Sequence, residues 1–251
     1  HCSVRRQRQM CIRDRYKAAP EVLWELGAEV IPVGVSPDGR NINLECGSTS
    51  PTVAAETVVA HGADLAICLD GDADRVLIID EYGRPIDGDQ FLGMIGSRWF
   101  KNGNLVENTL VSTVMSNMGL EAFLNQEGIK LVRTSVGDRY VVERMRLNGF
   151  NLGGEKSGHV VMMDYSTTGD GLMAGLQFLA EMVRTGEMAS VVGRPFDLTP
   201  QKTENITYAG DKNPLDHPSI KKIISETEKK ISGFGRLLSL IHISEPTRLA
   251  T

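Results

Sequence analysis

Cysteine is scarce in this sequence, with four residues at positions 2, 11, 46 and 68 and no Cys-x-x-Cys pair. That argues against a zinc site or a disulfide framework and suits a reducing, cytoplasmic setting. No run of about eighteen apolar residues occurs, so nothing reads as a membrane span. The N-terminal Arg cluster has no apolar stretch behind it and is not a secretory signal. An excess of positive charge is also missing. The formal net charge is −5 although Arg5, Arg6, Arg8, Arg13 and Arg15 face only Asp14 in the first fifteen residues, so the body is more acidic than the total. Such a body is a poor partner for nucleic acid. What is present, 251 residues with 41% hydrophobic and 24% charged content, can bury one or two ordinary cores.

The two ends differ from the patterned middle. Residues 1–15 show no helical or strand periodicity, and residues 239–251 contain the string Ser244-Glu245-Pro246-Thr247-Arg248. Both resemble translated sequencing-adapter strings, so the expectation is a non-native tail at each end, set aside in fold reasoning.

Between them, Ala18, Ala19, Val22, Leu23 and Leu26 form a helical stripe closed by Gly27, and Ala28–Val33 reads as a strand. Thr52–His61 is a helix, Leu65–Leu69 a strand of continuous apolar residues, and Val76–Ile79 another strand. This alternation predicts an α/β unit with a largely parallel sheet. Asp87 opens the next helix, and Gln90 completes a capping-box spacing. A second series follows: strand Leu110–Val114, helix Gly119–Glu127, strand Lys130–Thr134, helix Arg139–Leu147. A long helix over Thr168–Thr185 has Leu172, Leu176, Leu179 and Val183 on one face. Beyond Gln201 a turn-rich link leads to a Lys/Glu-rich helix. The expected organisation is two consecutive mixed-sheet α/β domains, 16–90 and 91–200, and the truncated start of a further α+β domain at 201–238.

Asp70-Gly71-Asp72-Ala73-Asp74-Arg75 directly follows an apolar strand. Alternating carboxylates on a chain that leaves a sheet and curls can converge on one cation. Ligands in open α/β sheets sit beyond the strands' carboxyl ends, where this loop lies. Mg²⁺, which takes oxygen ligands and keeps room for water and phosphate, suits Asp70, Asp72 and Asp74, and Arg75 can grip the phosphate. A calcium hand would want glycine where Arg75 stands and helical flanks. A phosphatase of the haloacid-dehalogenase kind would want a small hydroxyl residue at Asp74, and a solvated acidic turn would need no third Asp against buried strands.

The hexapeptide resembles the metal loop of the α-D-phosphohexomutase superfamily, with Ala73 where glycine is usual. Ala matters there only if the position needs a positive φ. Asn41-Ile42-Asn43, Cys46-Gly47-Ser48, Asp87-Gly88-Asp89-Gln90 and Asp164 to Gly171 are similar to the phosphoglucosamine mutases within it. The resemblance spans about residues 16–238. It implies domains 2 and 3 of a four-domain isomerase that interconverts glucosamine 6-phosphate and glucosamine 1-phosphate for cell-wall precursors. The reaction would run through an enzyme phosphoserine and a bisphosphate sugar. Phosphomannomutases and phosphoglucomutases share the metal loop and stand as the alternative, as does a non-catalytic Mg²⁺-binding module.

Gly153-Gly154-Glu155-Lys156-Ser157-Gly158-His159 resembles the family's sugar loop, with Lys156 in place of a more usual Gln or Met. The resemblance implies substrate contacts from Glu155, Lys156 and Ser157 and a catalytic part for Arg75 and His159. Glu155 can accept hydroxyl or ammonium protons, and His159 can transfer a proton or simply hydrogen-bond. Gly137-Asp138-Arg139, at a strand-to-helix junction, favours an anion, which makes Gly137 and Arg139 candidate substrate contacts. Cys46 reads as a packed small residue without a His partner. No segment matches the phosphoserine loop, and none before the suspect tail matches the fourth-domain phosphate loop. The expectation is therefore a phosphorylated amino sugar as ligand, with turnover requiring the family's first and fourth domains.

Overall fold

The computed structural model describes residues 15–204, apart from 37, 39 and 42, and residues 214–238, apart from 234. Both expected tails, except Arg15, lie outside the described residues, as does Ile42 of the signature. Residues through Pro200 form one compact unit and those from Gln201 a second.

Helix α1 (Ala18–Glu25) ends at Leu26, with Gly27 at φ +87°, and α2 (Thr52–His61) closes on a left-handed Gly62, as their glycines predict. Strands β1 (Leu65–Leu69) and β2 (Val76–Asp80) pair antiparallel, from Leu65 opposite Asp80 to Leu69 opposite Val76. This corrects the parallel expectation for the first half. The intervening loop, Asp70–Arg75, is too short for the dozen or so residues that a parallel crossover requires. The strand expected over Ala28–Val33 is also absent. That segment is irregular and largely exposed, Pro32 has no N–H to donate, and a cavity of about 640 Å³ runs between it and β1.

Helix α3 (Gly88–Lys101) is buried along most of its length, from Phe91 to Trp99. Asp87 caps it by accepting from Asp89 N at 2.9 Å. Gln90 does not complete a capping box; its amide instead donates to the carbonyl of Phe196 at 2.7 Å. Beyond it come β3 (Thr109–Thr113), α4 (Met118–Glu127), β4 (Lys130–Thr134), α5 (Asp138–Asn148), β5 (Leu152–Gly154) and β6 (Val160–Met162). Their sheet has the order β4-β3-β5-β6, parallel through β4, β3 and β5, with β6 returning antiparallel. Helices α4 and α5 are its crossovers. The β5–β6 hairpin was not legible as strands, because three-residue strands with two glycines carry no period.

Helix α6 (Gly171–Thr185) starts three residues later than expected, with Asp170 as its cap accepting from Met173 N at 3.0 Å. Its buried face is Leu172, Ala174, Gly175, Phe178 and Glu181, whereas Val183 is 85% exposed. Helix α7 (Ala189–Val192) follows. One core joins the two halves of this unit: Val76 and Ile78 of β2, Leu92 and Ile95 of α3, Leu110 of β3 and Phe178 of α6. Burying such side chains contributes about 1.5 to 3 kcal/mol each before entropy is counted. In the second unit, α8 (Pro218–Ile231) begins with Pro at its first position behind His217. No described helix is long and apolar enough to cross a membrane.

Candidate functional site

The loop after β1 brings the three predicted carboxylates together. One oxygen from each of Asp70, Asp72 and Asp74 lies within 4.8 Å of the others. The curl that does this depends on Ala73, whose N–H donates to Asp70 O at 3.2 Å and whose φ is +58°. The condition under which alanine matters is therefore met. A side chain in the left-handed region costs about 1–2 kcal/mol, and here the methyl is 3% exposed against its surroundings. Arg75 N donates to Asp70 Oδ1 at 3.1 Å, while the Arg75 side chain, half exposed, lies 3.8 Å from Asp74.

The second half supplies the wall of this loop. Arg75 bridges to His159, and Val76 N donates to Gly158 O at 3.1 Å. Gly171 N donates to Ala73 O at 2.9 Å, and a Cβ on Gly171 would stand 2.4 Å from Arg75 O. A Cβ on Gly169 would stand 2.6 Å from Asp74 O. The glycines of the Asp164–Gly171 signature thus have a physical reason, close approach to the acidic loop, which sequence spacing does not reveal.

His159 is 1% exposed, and its Nδ1 lies 3.1 Å from Asp74 Oδ2. Its Nε2 is buried with no hydrogen-bond partner among the described residues. Burial opposes protonation of this ring, but the hydrogen bond and charge of Asp74 outweigh it and hold the His159 pKa above the ordinary value. The same bond holds Asp74 low. Asp70 is pushed up to about 6, first by burial and then by its hydrogen bond with Asp74. Three crowded carboxylates, one of them reluctant to ionise, form a hard-oxygen donor set whose charge a divalent cation would balance. That chemistry fits Mg²⁺.

The predicted sugar loop is the β5–β6 turn. Glu155 N donates to His159 O at 2.8 Å and Gly158 N to Glu155 O at 3.0 Å. Gly158 has φ +86°, and a Cβ there would fall 2.1 Å from Val76 O. Lys156 Nζ lies 3.3 Å from Asp87 Oδ2, and Ser157 is exposed at the tip. Gly137, at the start of α5, donates its N–H to Glu155 Oε1 at 3.0 Å. The anion found at that helix start is therefore Glu155 itself. Arg139 is exposed, with its guanidinium 4.4 Å from the Tyr140 ring centroid and bonded to the Tyr140 hydroxyl. The structure thus gathers Asp70, Asp72, Asp74, Arg75, His159, Glu155 and Gly137 along one seam, and places Arg139 on its own neighbour.

Sequence reasoning missed Asp89, which is fully buried in the first turn of α3. Its Oδ2 accepts from Asn117 N at 2.7 Å, and its Oδ1 is buried without a partner among the described residues. Burial first, and the charge of Asp87, push it up to about 6, against the opposing pull of the Asn117 bond. Its place in the Asp-Gly-Asp-Gln signature was the available signal. Cys46 is half-buried and Cys68 buried, the latter pushed up to about 12 by burial, as suits packing rather than chemistry.

Two family profiles match the chain: "Phosphoglucomutase/phosphomannomutase, alpha/beta/alpha domain II" over residues 15–83, and the corresponding domain III over residues 87–196. Among curated relatives, the phosphoglucosamine mutases of Ruegeria sp. and Cereibacter sphaeroides are 62% and 61% identical over 231 residues. Those alignments cover 92% of this chain and 52% of each relative, so the chain spans about half the length of the curated relatives it matches. A phosphoglucomutase/phosphomannomutase family protein from Burkholderia thailandensis shares the fold with TM-score 0.65 at 22% identity, covering 71% of this chain and 39% of that one. The Aspergillus fumigatus N-acetylphosphoglucosamine mutase, solved in complex with GlcNAc-6P and magnesium, does so with TM-score 0.57 at 18% identity, covering 80% and 51%. The two adjoining domain profiles and the relatives at about 60% identity agree with the geometry of the two loops, and the chain belongs to the phosphoglucomutase/phosphomannomutase family.

Proposed function

We propose that this chain carries the metal loop and the sugar loop of a phosphoglucosamine mutase, which interconverts glucosamine 6-phosphate and glucosamine 1-phosphate. The observation that carries the reading is the pairing of the acidic loop with the Glu155–His159 turn through Val76, Arg75 and Asp74. Two loops from opposite halves of the unit would then address one ligand. Asp70, Asp72 and Asp74 would hold Mg²⁺, which when bound supplies charge neutralisation at a phosphoryl group. Arg75, half exposed beside them, is placed to contact phosphate oxygens. His159 keeps Asp74 oriented and ionised, a positioning part in place of the direct catalytic part expected for it. Glu155, fixed by Gly137 N–H, offers its remaining acceptor capacity to sugar hydroxyls or to an ammonium group.

In the full reaction that the resemblance implies, an enzyme phosphoserine gives its phosphoryl group to the free hydroxyl of the sugar monophosphate. The bisphosphate then reorients and returns its other phosphoryl group to the serine. No segment of this sequence matches that serine loop, so the reading predicts binding by these 251 residues without turnover. Calorimetric titration of glucosamine 6-phosphate in the presence and absence of Mg²⁺ tests it. Binding that requires Mg²⁺ and is weakened by Glu155→Gln supports the reading, and absence of binding defeats it. Mannose 6-phosphate and glucose 6-phosphate, titrated alongside, test the phosphomannomutase or phosphoglucomutase alternative.

A further inference from the structure

Asp87 sits where the acidic first turn of α3 meets the sugar loop. One carboxylate oxygen, Oδ1, accepts from Asp89 N at 2.9 Å and caps the helix. The other, Oδ2, faces Lys156 Nζ at 3.3 Å. The next residue, Gly88, is pressed against the loop so closely that a Cβ would fall 2.1 Å from Lys156 O and 3.2 Å from Gly158 N. The loop is therefore seated on the first residue of α3. Its two ends are fixed by main-chain bonds, Glu155 N to His159 O and Val76 N to Gly158 O. The Lys156 side chain reaches from the turn to the same helix end. Further along that end, the buried Asp89 ties the helix to Asn117.

We propose that Asp87 is a positioning residue for the sugar loop, acting through Lys156, and that Lys156 serves as a strut to α3 in place of a phosphate ligand. This rests on the phosphosugar reading given above. The ion pair is partly exposed, with side chains 19% and 39% accessible, so it is expected to change ligand affinity by several-fold rather than by orders of magnitude. Asparagine caps a helix as well as aspartate does, so Asp87→Asn removes the charge and keeps the cap.

The test is calorimetry of the chain with glucosamine 6-phosphate and Mg²⁺ for wild type, Asp87→Asn, Lys156→Gln, Lys156→Arg and the Asp87→Asn/Lys156→Gln double variant. The strut predicts that Asp87→Asn and Lys156→Gln each weaken phosphosugar binding by about threefold. It also predicts no further loss in the double variant and near wild-type binding for Lys156→Arg. Mg²⁺ affinity and the thermal midpoint should not move, which a general loss of structure would not allow. If Lys156 instead grips the phosphate, Lys156→Gln weakens binding while Asp87→Asn leaves or strengthens it, and the proposal is overturned. Additive losses overturn it as well. If the wild-type chain binds no phosphosugar, the functional reading fails separately. Amide exchange then decides the strut: faster exchange at Lys156, Ser157 and Gly158 in both single variants upholds it, and unchanged exchange refutes it.

Discussion

His159 Nδ1 and Asp74 Oδ2 meet at 3.1 Å, and that contact joins the loop after β1 to the residue that leads from the Glu155–Gly158 turn into β6. It keeps Asp74 ionised when Asp70, pushed up to about 6, tends to hold a proton. The acidic loop is thus an unequal set, with one carboxylate committed to charge and one that yields it.

Metal binding should accordingly weaken in mild acid. A cation needs Asp70 deprotonated, so affinity for Mg²⁺ is level above pH 6 and falls by up to about tenfold per pH unit below it. Titrations at pH 5, 6, 7 and 8 check this, with proton release on binding near pH 6 as the second sign.

Asp89 makes the opposite demand on folding. Its folded-state pKa is raised to about 6 from an unfolded value near 3.9. Its contribution is therefore fully present below about pH 4 and is lost as pH rises through 6, about 3 kcal/mol for a shift of about two units in a buried group. Denaturant melts across this range should show that decline in wild type. The Asp89→Asn variant, with nothing to titrate, should show less of it.

Ala73 is held at φ +58°, yet replacement by glycine should change stability by less than about 1 kcal/mol. Relief of about 1–2 kcal/mol of strain is offset by a looser unfolded chain and the loss of a buried methyl. A β-branched residue has no such compensation, and Ala73→Val should cost more than about 2 kcal/mol. Equilibrium unfolding of the two variants separates these outcomes.

Gly158 and Gly62 both have positive φ but different surroundings. A Cβ on Gly62 meets nothing within 4 Å, whereas on Gly158 it would strike Val76 O. Gly62→Ala should cost about 1 kcal/mol, the backbone penalty alone. Gly158→Ala should cost more and also reduce protection of the Val76 amide in hydrogen exchange.

These residues show what the linear pattern could and could not carry. The helices from Ala18 and Thr52 and the strand Leu65–Leu69 were legible because glycine stops and apolar runs are local signals. The convergence of the three aspartates was legible because alternation after a strand constrains where carboxylates can point. Antiparallel pairing of β1 and β2 was also available, from the six-residue loop, but the helix–strand alternation suggested the wrong sheet. What the pattern left out are long-range partners: Gln90 with Phe196, Gly137 with Glu155, Gly171 with Ala73. Each is a polar or glycine position whose reason lies on a distant segment. Val183 shows the same limit in a helix, since its spacing is apolar but the core ends before it.

The most direct test of the account is calorimetric titration of glucosamine 6-phosphate into the chain at pH 7.5, with and without Mg²⁺, for wild type, Asp72→Asn and Glu155→Gln. The account predicts heat of binding that requires Mg²⁺ in wild type, is abolished by Asp72→Asn through loss of the metal, and is weakened by Glu155→Gln with Mg²⁺ binding intact. Phosphosugar binding that is indifferent to Mg²⁺ and to both substitutions would contradict it.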